Sequence, residues 1–276
     1  MTVRLASIHI YCVKSLAGVG ATEAEIEPWG LRHDRRWLVV QPDGTVLTAR
    51  EEHRLLGMTA APAEHGTIKL TGLDGSMIHV KEPAEAAPLG IGLSRLESVR
   101  AAGAEADDWL SRQLGQSVRL GWLDDPRRRS VSLDHGGRNG DPLNLSDAGP
   151  LLLTTTASLR QINEWLAEDA AGREEVAPRS MVMARFRPNV VVDGVEPPFV
   201  EDGWRHIQIG DVGFRFAEQC DRCVMTTIDP QLLAVSKEPL RTLARHRQRD
   251  HKTWFGIRII PSTTSTIRVG DIVTGS

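Results

Sequence analysis

Alternation with a period of two runs through the first hundred residues. Ala6, Ile8, Ile10 and Cys12 fall on one face of an extended segment, and Ser7, His9 and Tyr11 on the other, which predicts a half-buried strand. Ala24 and Ile26 alternate with Glu23, Glu25 and Glu27, so the next strand has one solvated face. Trp37–Val40 and Thr45–Thr48 flank Pro42, Asp43 and Gly44, whose turn chemistry predicts a hairpin. Thr67–Leu70 and Met77–Val80 are shorter strands of the same kind. Helical spacing is rarer. Ala104–Leu114 carries Ala106, Trp109, Leu110 and Leu114 on one face and stops at Gly115. Ala157–Ala167 carries Leu159, Ile162, Trp165 and Leu166, and a third helix starts at Pro239, a favoured first-turn residue, and runs on through Leu240, Leu243 and Ala244. Strands return at Val118–Leu123, Asn189–Val192, His206–Ile209, Val212–Ala217, Gly256–Ile260 and Ile267–Val273. The expected class is mainly β with a few helices (α+β), built of antiparallel sheets that close on themselves rather than of βαβ units.

The stretch from Asp124 to Pro150 is rich in turn formers and has little apolar periodicity. Structureless segments of this length are uncommon inside a compact domain. The expected organisation is therefore a β-rich domain over residues 1–123, a long loop over 124–147 and a second domain over 148–276.

Composition narrows the class. The 276 residues are 41% apolar and 25% charged, ordinary for a globular protein and enough for one large or two small domains. A net charge of −3 argues against nucleic acid as a partner. Three cysteines exclude a disulfide framework and suit a reducing compartment. No run reaches the length of a membrane span, and the N-terminus alternates where a signal peptide would be continuously apolar, so a cytoplasmic location without membrane attachment is expected.

Two of the cysteines, Cys220 and Cys223, stand two residues apart in Glu218–Pro230, EQCDRCVMTTIDP. Zinc wants four ligands, of which one such pair supplies two, and the histidines are scattered. A thioredoxin-type dithiol needs the pair at a helix start, whereas here it follows a strand-like run and precedes β-branched residues. Two buried space-filling thiols, or a single ligand thiolate for a soft or redox-active metal with Arg222 favouring its charged form, stay open on the residues alone.

Motifs around that pair resemble a known family. Phe186-Arg-Pro-Asn-Val190, Glu201-Asp-Gly-Trp204, Ile209-Gly-Asp211, Cys220–Pro230, Lys237-Glu-Pro-Leu240 and Ile267-Arg-Val-Gly-Asp271 follow the order of the MOSC domain, named for the C-terminal part of molybdenum cofactor sulfurases. Tyr11-Cys-Val-Lys-Ser15, Gly30-Leu31, Asp34-Arg-Arg-Trp37 and Thr48-Ala-Arg50 resemble the β-rich domain that accompanies it. Among these proteins the chain is most similar to the mitochondrial amidoxime-reducing component and its bacterial relatives.

The resemblance implies a β-barrel-like MOSC domain packed on the N-terminal domain, a molybdopterin-type molybdenum cofactor in the cleft between them, and reduction of small N-hydroxylated compounds. No pyridoxal phosphate is expected. It picks Cys223 as the molybdenum ligand and catalytic thiolate, with Cys220 as neighbouring structure. It carries cofactor contacts to Lys14, Ser15 and Arg35, more loosely to Arg50, and to Arg187 and Asn189. Such residues suit a pterin whose phosphate wants cations and whose ring edges want amide and hydroxyl partners. Thr226, Thr227 and Asp229 are then expected to support the ligand thiolate. The chain departs from the pattern at Cys12, where the family usually has proline, and after Pro230, where Gln231-Leu-Leu233 replaces the usual Asp-Thr-Gly. No cluster-binding cysteines follow to Ser276, so electrons are expected from a separate ferredoxin- or flavoprotein-type donor. The alternatives are a molybdenum cofactor carrier or sulfur relay without reductase activity, and a β-rich interaction module. Arg127, Arg128 and Arg129 read either as a solvated loop or as a surface for an anionic substrate or acidic partner.

Overall fold

In a computed structural model that describes residues 2–176 and 179–276, the chain forms two compact units, each assembled from separate stretches of sequence. One takes the residues up to His9, Gly20–Pro28 and Gly149–Ser276; the other takes Ile10–Val19 and Trp29–Ala148. Strands dominate, with three α-helices among the described residues: α1 (Ala104–Leu114), α2 (Thr156–Ala171) and α3 (Leu240–His246). The expected mainly β class holds. None of these helices is long and apolar enough to cross a membrane.

In the unit containing the C-terminal half, the strand Arg4–Ile10 pairs antiparallel with Val190–Asp193. Leu151–Thr155 comes next, followed by Lys252–Pro261, Val212–Asp221, His206–Ile209 and Val273–Gly275. One pairing departs from the antiparallel expectation: Leu151–Thr155 runs parallel to Val190–Asp193. The reason is local. The Thr155 hydroxyl accepts from the Ser158 amide and caps α2 directly after the strand, so the chain crosses over through a helix instead of turning back. At Gly256 the backbone has φ +75°, and a Cβ would come within 2.7 Å of the Leu153 carbonyl; only glycine lets the two strands approach there.

The core of this unit joins Ile162 of α2 and Leu243 of α3 to Phe186 and Phe255. The two phenyl rings lie 4.0 Å apart at 35°. Phe186 is fully buried, which anchors the chain immediately before Arg187. A second tie holds the start of α2 to the turn at Glu201. Ser158 Oγ donates to the Glu201 carboxylate at 2.7 Å and accepts from the Phe199 amide at 2.7 Å.

The other unit holds an antiparallel sheet ordered Pro88–Leu93, Leu96–Ala101, Arg119–Trp122, Trp37–Val40, Val46–Leu47, with a separate three-stranded meander over residues 59–81. The hairpin and α1 stand where their patterns put them, α1 ending at Gly115 with φ +60°. Residues 124–147, read from sequence as a connecting loop, lie within this unit. Leu145 joins a core with Leu38, Val40, Leu89, Ile91, Leu96, Val99 and Leu123. Arg129 is buried and donates to the carbonyls of Asn144 at 2.7 Å and Ser146 at 2.5 Å, which folds the segment on itself. Arg128 reaches Asp124 and Ser98, so neither residue is a freely solvated loop cation.

Two measurements test this description. Phe186→Ala removes a fully buried ring from the core and is expected to cost about 3–5 kcal/mol in denaturant unfolding; a loss below about 1 kcal/mol would contradict the packing. Burial pushes the Glu201 carboxyl up to about 6, against the bonds from Ser158 and Thr155. The folded state therefore keeps a proton that the unfolded chain has released, and stability falls as pH rises through about 6. Unfolding free energy measured from pH 4.5 to 7 is expected to drop by about 2 kcal/mol more in the wild type than in Glu201→Gln. Parallel profiles for the two proteins would refute that role.

Candidate functional site

The strand Val212–Asp221 extends past its sequence-expected end and carries Cys220 at its buried face. Its pairing with Lys252–Pro261 is carried on by Arg222, whose amide donates to the Thr253 carbonyl at 2.8 Å while Thr253 Oγ1 donates back at 3.3 Å. Cys223 then leaves the sheet as the first residue of a tight 3-10 turn, Val224–Thr227. Its carbonyl accepts from the Thr226 amide at 3.1 Å and from Thr226 Oγ1 at 3.0 Å. Thr227 Oγ1 donates to the Val224 carbonyl at 2.7 Å. Of the three cysteines, Cys12 and Cys220 are buried and Cys223 is exposed. Burial, with Asp34 nearby, drives the Cys12 thiol far above the usual range, so it stays neutral.

Two guanidinium groups fix the segments around Cys223. Arg222 donates to Cys220 Sγ at 2.8 Å and to the Phe186 carbonyl at 2.8 Å, tying the pair to the residue before Arg187. Arg185, also buried, donates to the carbonyls of Thr226 at 3.3 Å and Thr227 at 3.2 Å, and to Asp229 Oδ2 at 2.7 Å. Asp229 Oδ1 accepts from the amides of Gln231 and Leu232. Burial opposes ionisation of Asp229, but those amides and Arg185 outweigh it and hold the carboxyl below its ordinary range. Asn189 spans neighbouring strands, its Oδ1 accepting from the Leu152 amide at 3.2 Å and its Nδ2 donating to the His9 carbonyl at 3.3 Å.

The second cluster lies in the other unit. The Lys14 amide donates to the Trp37 carbonyl at 2.7 Å and the Arg35 amide to the Tyr11 carbonyl at 2.7 Å, so the segments around Lys14 and Arg35 run side by side. The Lys14 ammonium is buried, donates to the Leu145 carbonyl at 3.0 Å and pairs with Asp147. Asp147 also takes Arg50 at 3.0 Å. Arg35 pairs with the buried Asp34 at 2.6 Å and stacks over Tyr11 at 4.5 Å. Burial favours the acid form of Asp147, yet Lys14 and Arg50 overcome it and hold the carboxyl well below the usual range. Burial, followed by the repulsion of Arg129 and Arg35, pulls Lys14 below the ordinary lysine value against the attraction of Asp147.

Sequence reasoning named most of these groups and missed several that hold them. Within one unit Lys14 and Arg50 meet at Asp147, Arg35 pairs with Asp34, and Ser15 follows Lys14 in the chain; neither carboxylate stood out as a site residue in the sequence. Within the other, Cys223 caps the turn that contains Thr226, Asp229 follows that turn, and Arg222 links Cys220 to the Phe186 carbonyl. Arg185 was missed because an arginine before Phe186 reads as a surface charge until its burial is seen. Ser15, Arg35 and Arg187 adopt φ of +70°, +47° and +56°, a region costly for residues with a side chain and often found where function fixes the backbone.

These residues fit a metal that brings most of its own ligands. Among the described residues no group of three or more His, Cys, Asp or Glu side chains could hold a metal by itself, whereas Cys223 offers one exposed soft donor. Arg222 Nε, next to it in sequence, is a buried donor with no hydrogen-bond partner. On the other unit Ser146 Oγ is likewise buried and unmatched, and Lys14 has used two of its three N–H donors.

Comparison with known proteins identifies the family of the chain. The MOSC domain family matches residues 140–274, and the MOSC N-terminal beta barrel domain family matches residues 2–117. Mitochondrial amidoxime-reducing component 1 of Mus musculus is 33% identical over 98% of this chain and 81% of its own length. The Homo sapiens protein of the same name is 32% identical over 98% and 82%. Molybdenum cofactor sulfurase of Danio rerio is 29% identical over 92% of this chain, which spans 31% of that protein. The chain belongs to the family of MOSC-domain proteins with an N-terminal MOSC beta barrel domain that includes the mitochondrial amidoxime-reducing components.

Proposed function

We propose that this protein is a molybdenum-cofactor-dependent reductase of small N-hydroxylated compounds, with Cys223 as the protein's ligand to the metal. The observation that carries the reading is the exposed Cys223 at the start of a tight turn, preceded in sequence by Arg222, whose buried Nε–H has no hydrogen-bond partner. The names of the relatives support a molybdenum-cofactor-related role, and amidoxime reduction is the activity that most of those names describe.

Bound there, the cofactor supplies the two-electron chemistry that removes oxygen from an N–OH group. The chain's own residues do the rest. Lys14 offers its remaining N–H to a phosphate oxygen, with Arg50 and Arg35 adding charge and Ser15 a hydroxyl. Asp147 keeps Lys14 and Arg50 aligned, so the cations are ordered before an anion arrives. Arg187 and Asn189 serve the ring edges from a segment whose backbone is pinned by Phe186. Thr226 and Asp229 act through the turn: Thr226 holds the Cys223 carbonyl, and Asp229 closes the loop behind it. Reducing equivalents come from a separate ferredoxin- or flavoprotein-type protein, in the cytoplasm.

An exposed thiol also suits a cofactor carrier or a persulfide relay, a reading favoured by the relative named for cofactor sulfuration. Molybdenum content and turnover separate the two. Wild type and Cys223→Ala are purified from a host that makes the cofactor. Near-stoichiometric metal in the wild type, much less in the variant, and turnover of an amidoxime with a chemical reductant are expected. Metal without turnover selects the carrier, and full metal and activity in Cys223→Ala refute both. Lys14→Met removes a charge-assisted contact of about 1.5–3 kcal/mol, so cofactor affinity is expected to fall about 10- to 100-fold. Unchanged cofactor retention in that variant would remove Lys14 from the site.

A further inference from the structure

The geometry points to Arg185 as a positioning residue that sets the placement of the Cys223 thiol by bracing the turn behind it. The inference rests on the reading of Cys223 as metal ligand but concerns a residue outside the Phe186–Val190 and Cys220–Pro230 motifs.

On the N-terminal side of Cys223 the chain is tied to the sheet through Arg222 and Thr253. On its C-terminal side the chain runs through Val224–Thr227 into a loop that returns at the bridge between Ile228 and Val235. Inside that turn the Cys223 carbonyl is held by Thr226, and the Ile228 amide reaches the Met225 carbonyl at 3.4 Å. Bonds within one short turn fix its shape, and ties from outside set its orientation. The Ser236 amide supplies one, donating to the Thr227 carbonyl at 3.0 Å. Arg185 supplies a charged one from the buried segment before Phe186. It reaches from outside the turn to the carbonyls of Thr226 and Thr227, and its other terminal nitrogen takes Asp229 at 2.7 Å. Asp229 then engages the amides of Gln231 and Leu232, so one planar group orders both the turn and the start of the loop.

The reach of Arg185 is set by its own neighbour. Phe186 is locked in the core against Phe255, and its carbonyl receives Arg222. Arg185 and Arg222 thus cross-link the same short segment to the chain on either side of Cys223. The thiol and the backbone that leads into Arg187 and Asn189 are held as one frame. A metal bound through a single protein ligand depends on such support for the placement of that ligand.

The test compares wild type with Arg185→Met and Arg185→Lys. Hydrogen exchange over residues 223–230 is expected to quicken about tenfold in Arg185→Met, the factor for loss of one charge-assisted brace. Exchange in the strand Lys252–Pro261 should not change. The buried Cys12 and Cys220 should stay closed to N-ethylmaleimide, which separates local loosening from unfolding. Molybdenum retained per folded chain is expected to fall about tenfold, with partial recovery in Arg185→Lys. If Arg185→Met fails to fold, Asp229→Asn, which weakens the same brace and keeps the guanidinium, must reproduce the local exchange. A turn that does not loosen in a folded variant overturns the proposal. So does a turn that loosens while metal retention stays at the wild-type level. A wild type that binds no molybdenum refutes the functional reading instead, and the exchange result still decides whether Arg185 holds the turn.

Discussion

Arg185 is withdrawn from water and meets two backbone carbonyls and one carboxylate, all between 2.7 and 3.3 Å. A buried charge is costly unless partners compensate for the water it has lost. The same requirement recurs at Lys14 with Leu145 and Asp147, and at Arg129 with Asn144 and Ser146. Each of these groups gathers chain that is distant in sequence, and the demand for partners makes the local geometry specific. A shift of the Cys223 turn or of the segment 144–147 would strand a charge in a poorly solvated place.

Three of the candidate site residues coincide with costly backbone. Ser15, Arg35 and Arg187 sit at positive φ without being glycine, a conformation each maintains at an expense of roughly 1–3 kcal/mol. In each case a neighbour is held in place. The Arg35 amide is bound to the Tyr11 carbonyl, Ser15 follows the buried Lys14, and Arg187 follows the fully buried Phe186. The surrounding core supplies the stability that tolerates the strain.

Apolar periodicity was a sound guide to elements that bury one face. α1 runs over the residues whose spacing announced it, and the hairpin around Pro42–Gly44 has its expected turn. It failed where a segment's hydrophobic content is sparse or its polar groups are internal. Residues 124–147 look like a solvated loop because only a few of them, Leu145 among them, are apolar core members, while Arg129 does its work on backbone carbonyls that leave no trace in composition. The parallel pairing of Leu151–Thr155 was hidden for another reason: the strand and α2 abut at Thr155, with no turn formers to mark the change.

The sequence by itself determined the mainly β class, the family, and the residue types that a metal-bearing, phosphate-carrying cofactor would need, because those follow from periodicity and from motifs held in order. The exposure of Cys223 and the burial of Cys220, two residues apart, were decided only by where the strand ends and the 3-10 turn begins. Only the tertiary structure could choose Asp147 as the partner of Lys14 and Arg50, or Arg185 as the brace of the Cys223 turn. A charged side chain looks the same in sequence whether it faces water or a carbonyl. Its role is set by the chain that folding brings within about 3 Å of it.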